Sequence, residues 1–384
     1  MRDAIAPLAE PVMDGTFAPM YSTDQFRVFT GEAPDRILSR PRRLTQEGRM
    51  PEAEAAYREL LLTHPDLPQA WMELFTLLRE AGRHADALTL AERSAAELPG
   101  EALPSILKGA ALVELGRFRE GLSALDDASQ VAPDSGLVWH EAGYAAYRLG
   151  ELSRALMALD RAFALEPHGA TLLLRGRVLR QAGRYLAAEV AFEGAAQAAE
   201  FAAQREVAER EIRATRRYGA FPGSKPDALP PARRWFADQG AVPLTGMPGT
   251  PADDEALARG VLQLARDLGW SFTLLVALDA WPGWYDLATG LGIPVAAEYP
   301  ADPAAVPRLA ARHPAQAAAW MELADEPLRR GRGLSLALHQ PLAGPVADVA
   351  GQLEGTPRAL DLALAHEAGQ HPESRLRDRI LAPR

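Results

Sequence analysis

Residues 136–167 read GLVWHEAGYAAYRLGELSRALMALDRAFALEP. Trp139, Ala142, Gly143 and Ala146 recur at i, i+3, i+4 and i+7, which puts them on one face of a helix. Ala155, Leu159 and Ala162 do the same for a second helix. Gly150 lies between them and permits the positive φ of a tight turn, and Pro167 stops the second helix because it lacks an N–H. Gly143 and Ala155 are small enough for the helices to approach closely. Such a pair cannot bury its apolar face alone and needs neighbours stacked on both sides.

The neighbours are present. Turn glycines recur at Gly48, Gly82, Gly116, Gly150 and Gly183, and stopping prolines at Pro65, Pro99, Pro133 and Pro167. The Trp139 place is matched by Trp71, with Ser105 and Leu172 elsewhere. The Ala155 place holds Ala53, Ala87, Gly121 and Ala188, and the Leu159 place Tyr57, Ala91, Leu125 and Phe192. This spacing resembles the tetratricopeptide repeat (TPR), whose pattern is W-x2-L-G-x2-Y, A-x3-F, P with a period of about 34 residues. The resemblance covers residues 34–200. Its first unit contains Pro41 and lacks the Trp; its last has lost a loop residue and the closing Pro. The fold class it implies is mainly α: a TPR α-solenoid of about five helix pairs plus a capping helix over residues 34–218.

The 384-residue chain carries a formal charge of −10 and no cysteine. That balance argues against general nucleic-acid binding, and the missing thiols exclude a disulfide frame or a thiolate metal site. Its first residues lack the apolar run of a signal peptide, and no stretch is long enough to span a bilayer. A cytoplasmic protein without membrane attachment is expected. Its oligomeric state is left open.

Residues 1–33 contain five Pro or Gly residues and no helical period. They read either as a mobile leader or as an arm that packs Phe17, Tyr21, Phe26 or Phe29 on the repeats or on the C-terminal domain. Residues 199–218 form an amphipathic helix suited to capping the last repeat, and residues 219–234 read as a Gly/Pro-rich linker. From Trp235 the period changes. Strands are expected at 241–244, 271–278, 293–297 and 334–338, with helices at 253–268, 284–291, 304–323 and 356–369. Together they make a small α/β domain, residues 235–384, with a mostly parallel sheet. Residues 313–332 also echo residues 64–83; as a decayed repeat they would turn 334–338 into helix.

In stacks that resemble this family, the first helix of each pair lines the concave face. That resemblance places Arg42, Gln69, Met72, Thr76, Arg79, Ile106, Val113, His140, Tyr144, Tyr147, Arg148, Arg177 and Arg180 along a groove. Tyr and Arg dominate interface energies, so a protein or peptide partner of acidic character fits. The Lys/Asn pattern by which some relatives grip a C-terminal carboxylate is absent, since Met72, Thr76, Ile106 and Ala110 stand there. The expected function is a non-catalytic scaffold or adaptor. The alternative is an enzyme or sensor using Asp279, Glu298 and His339 at predicted strand ends. No phosphate-loop, dinucleotide, nucleophile-elbow or zinc motif is present, so no cofactor or metal is implied.

Overall fold

The computed structural model describes residues 35–248, 253–270, 273–296, 307–311, 334–340, 346–353 and 358–375. By internal packing the chain divides into two units, with the boundary between Glu209 and Arg210.

The first unit is a run of helix hairpins: α1 (Asp35–Gln46) with α2 (Met50–Thr63), α3 (Pro68–Glu80) with α4 (His84–Glu97), α5 (Leu103–Glu114) with α6 (Phe118–Val131), α7 (Gly136–Arg148) with α8 (Leu152–Leu165), and α9 (Gly169–Gln181) with α10 (Tyr185–Gln197). An eleventh helix, α11 (Ala202–Gly219), follows and runs through the boundary between the units. The turns work as the sequence demands. Gly48, Gly82, Gly116, Gly150 and Gly183 all have φ between 70° and 75°. At Gly150 the glycine N–H reaches Tyr147 O and the next N–H reaches Ala146 O, both at 2.9 Å, so the last carbonyls of α7 are satisfied across the turn. The stopping prolines have a second task. The Trp71 indole donates to Pro65 O at 2.7 Å and the Trp139 indole to Pro133 O at 2.8 Å, fastening each first helix to the turn before it.

Close approach within the hairpins depends on small residues. A Cβ on Gly176 would lie 2.6–2.8 Å from the ring of Phe192, a fully buried side chain on α10. Gly176→Ala is therefore expected to destabilise this unit by about 1–2 kcal/mol, overpacking outweighing the gain in helix propensity. A lowered denaturant midpoint reports it; an unchanged or raised one means that the α9–α10 seam is loose.

The second unit holds a six-stranded sheet in the order β1-β7-β6-β5-β3-β4, paired in parallel throughout. Its strands are β1 (Val242–Pro243), β3 (Leu274–Ala277), β4 (Val295–Ala296), β5 (Pro307–Ala311), β6 (Leu334–Gln340) and β7 (Val349–Leu353). A separate antiparallel pair joins β2 (Thr245–Pro248) to β8 (Arg358–Leu360). Helices α13 (Asp254–Asp267) and α14 (Gly283–Leu291) flank β3 in sequence, and α15 (Leu362–Gln370) follows β8.

Several expectations change here. Residues 307–311 are a strand, although helix is expected over 304–323: pairing with β3 and β6 on either side overrides an alanine-rich local pattern. The helix expected from 356 starts only at Leu362, where Asp361 accepts from Leu364 N at 3.0 Å and caps it. Residues 334–340 are strand, so the decayed-repeat reading fails there; residues 312–333 lie outside the described residues. The leader expected over residues 1–33 also lies outside them.

The stretch expected as a linker is partly folded. It contains a 3₁₀ turn at Pro226–Ala228 and the start of α12 (Pro231–Gln239), and it buries Phe221, Leu229 and Ala232. Arg217 shows why it belongs with the sheet. The residue is 5% exposed, and its guanidinium donates to Ala237 O at 2.8 Å, Asp238 O at 2.9 Å and Glu373 O at 3.2 Å. Burial pushes its pKa down to about 10, so it remains charged at neutral pH. Arg217→Met keeps the stem but leaves these carbonyls without their cation; a loss of about 2 kcal/mol is expected. Melting of the C-terminal unit measures it, and an unshifted transition would mean that α11 ends independently of that unit.

Candidate partner-binding groove

The expected groove residues sort into three groups. Met72, Ile106, Val113, His140 and Tyr144 are buried, with 1–7% exposure; the expectation that they line an open surface is corrected, because Met72, Ile106, Val113 and Tyr144 pack into the cores between the repeats and His140 bonds to Thr171. Gln69, Thr76, Tyr147, Arg177 and Arg180 are half-buried; the Thr76 hydroxyl donates to Met72 O at 3.0 Å, and the Arg180 guanidinium lies 5.5 Å from the Phe192 ring centre. The remaining arginines bind protein groups. Arg42 forks onto Glu73 of α3 at 2.6–3.1 Å, and the Tyr57 hydroxyl donates to the same carboxylate at 2.7 Å. Arg79 donates to Glu114 of α5 at 2.9 Å and lies 3.7 Å from Glu141 of α7, a carboxylate only 2% exposed. Arg148 donates to the Tyr144 hydroxyl at 3.0 Å and stacks 4.6 Å above Phe118. Burial raises the Tyr144 pKa, with the charge of Glu114 adding to it, and outweighs the Arg148 cation, which favours the phenolate.

These contacts form a polar ladder between successive first helices. Arg42–Glu73 ties α1 to α3, Arg79 ties α3 to α5 and α7, and a hydrogen bond of 3.0 Å between His140 Nδ1 and Thr171 Oγ1 ties α7 to α9. His140 is fully enclosed, and burial, with Arg79 and His168 adding to it, pushes its pKa down to about 3, so the ring is neutral. The groups expected to greet a partner therefore also hold the repeats in register. The sequence reading missed the carboxylates Glu73, Glu114 and Glu141. A signal existed: Glu73 and Glu141 occupy the same repeat position two periods apart.

A net field survives this pairing. The five first helices carry ten Lys/Arg against five Asp/Glu, whereas the five second helices carry five Lys/Arg against twelve Asp/Glu. On a chain of charge −10, that is a segregation of sign between the two helix layers.

In the C-terminal unit, Asp279 follows β3 and accepts from the Trp284 indole at 2.8 Å, anchoring α14 to the strand it follows. His339, near the carboxyl end of β6, bonds through Nε2 to Asp254 at the start of α13 at 2.6 Å. Asp254, read in the sequence only as part of a helix-opening acidic cluster, is thus the partner of His339. Glu298 lies outside the described residues.

Together, hairpins of fixed period with a continuous first-helix wall define a helical-repeat solenoid. The tetratricopeptide-repeat family model matches residues 42–102, 106–162 and 140–203, and this part of the chain belongs to that family. Among solved structures, a thermophilic tetratricopeptide-repeat protein of Thermus thermophilus is 22% identical, over 47% of this chain and 99% of that one, with a TM-score of 0.42. PilF of Pseudomonas aeruginosa is 20% identical over 53% of this chain and 95% of that one, with a TM-score of 0.38. The MamA fragment of Desulfovibrio magneticus is 18% identical over 44% and 95%, with a TM-score of 0.35. No curated protein matches the chain. Stacks of such repeats build extended concave binding surfaces, and in that general sense residues 42–203 form a protein-interaction scaffold.

Proposed function

We propose that the first-helix wall holds an extended, acidic segment of a partner protein and that the chain serves as a non-catalytic adaptor. The charge segregation between the helix layers carries this reading: first helices have a Lys/Arg excess where second helices have an Asp/Glu excess. Such a field steers and orients an anionic ligand without specifying its sequence. Tyr147 and Arg148, half-buried at the end of α7, supply the aromatic and cationic side chains that anchor interfaces. Selection from a displayed library of random peptides tests the proposal. The full chain is expected to enrich peptides rich in Asp and Glu with aromatic residues among them, and Tyr147→Ala with Arg148→Ala to lose most of that enrichment. Peptides without acidic bias, or ones indifferent to the double substitution, overturn it.

A further inference from the structure

We infer that the partner segment is bipartite: two acidic clusters about 11 residues apart, joined by an uncharged stretch, one cluster held at α1 and the other at α9. The inference rests on the reading of the first-helix wall as the binding face and names where on that wall charge is recognised. The excess of cations is not spread along the wall. Helix α1 carries four Arg against one Asp, and α9 carries three Arg and no acid. Between them α3 carries one Arg against two Glu, and α5 and α7 one basic and one acidic residue each. The whole positive excess of the first helices therefore sits at the two ends.

The contacts sharpen this contrast. In the middle, Arg79 is engaged by Glu114 and Glu141, and Met72, Ile106, Val113 and Tyr144 pack into the cores between the repeats. An acidic residue laid there meets Glu73, Glu114 and Glu141 with no cation in excess, which disfavours it. At the α1 end, Arg40, Arg43 and Arg49 line a cavity of about 300 Å³. Glu52 and Glu59 line it too. Arg40 meets Glu59 at 3.2 Å with both side chains exposed, and Arg43 meets Glu47 only at 3.7 Å. Exposed pairs of this kind contribute little, so a partner's carboxylates can take the place of these glutamates. At the other end, Arg177 and Arg180 stand half-buried on α9. From α1 to α9 there are four helix-to-helix steps, roughly 36 Å at about 9 Å each, which about 11 extended residues span.

The test uses the full chain and fluorescent peptides in which two triple-aspartate clusters are joined by Gly/Ser spacers of about 2, 8 or 14 residues, the middle one matching the span. The matched peptide should bind at least about tenfold tighter than the short one, and the long one should gain nothing further. Arg40→Ser with Arg43→Ser, at side chains 67% and 69% exposed, should bring the matched peptide to the level of the short one. Arg177→Ser with Arg180→Ser should do the same. Affinity independent of spacer length, binding to none of the peptides, or a length preference that survives both pairs of substitutions overturns the inference. If spacer length is immaterial while library selection still yields acidic peptides that depend on Tyr147, the wall stands as the binding face and only the two-ended arrangement falls.

Discussion

Replacing Arg79 with alanine is expected to cost the repeat unit about 3 kcal/mol, among the largest effects of any single substitution on the groove wall. Arg79 reaches two carboxylates on two different helices, Glu114 at 2.9 Å and Glu141 at 3.7 Å. Glu141 is 2% exposed, so water cannot replace the lost cation. Removing one partner of a buried ion pair is far more damaging than replacing both by apolar groups. The double variant Arg79→Met, Glu141→Leu should therefore recover to within about 1 kcal/mol of wild type. Denaturant titration of all three proteins measures this. A loss below about 0.5 kcal/mol in Arg79→Ala, the size of an exposed pair, would show that the ladder decorates the stack without holding it.

The second large effect is on acid stability, through His140. The folded ring has its pKa near 3, whereas an unfolded histidine titrates near 6.5. As pH falls below about 6.5 the unfolded chain takes up a proton that the folded ring refuses, so stability drops, and it goes on dropping until about pH 3. Relative to His140→Gln, which has no such proton, wild type should lose on the order of 3 kcal/mol between about pH 7 and pH 4. The variant is expected to start lower at neutral pH, having lost the Thr171 contact in its native form, and to fall less steeply. Parallel pH profiles would mean that water reaches His140.

What was legible in the sequence follows from where the physics is local. Gly150, Pro167 and the small residues at the Gly143 and Ala155 places act within one hairpin, so their spacing alone pointed to the repeats, the turns and the helix ends. The strong strand at 274–277 and the helix from Asp254 were legible for the same reason: a dense apolar run and an acidic N-terminus. Strand β5, Pro307–Ala311, was not, because its strand character comes from two flanking partners rather than from its own residues. The contacts along the first helices were only partly legible. Repeat position told which side chains share a wall, but not that Arg42 and Arg79 are engaged by Glu73 and Glu114 on later helices, a pairing that depends on how the hairpins stack. The same holds for His339, whose partner Asp254 is 85 residues away.

The most direct test of the central claim is the amide hydrogen-exchange footprint, on the full chain, of the tightest peptide from the library selection. Protection concentrated on the first helices α3, α5, α7 and α9 is the predicted result. Protection falling instead on the second helices, or on strands β3 and β6 of the sheet, would contradict the assignment of the first-helix wall as the binding face.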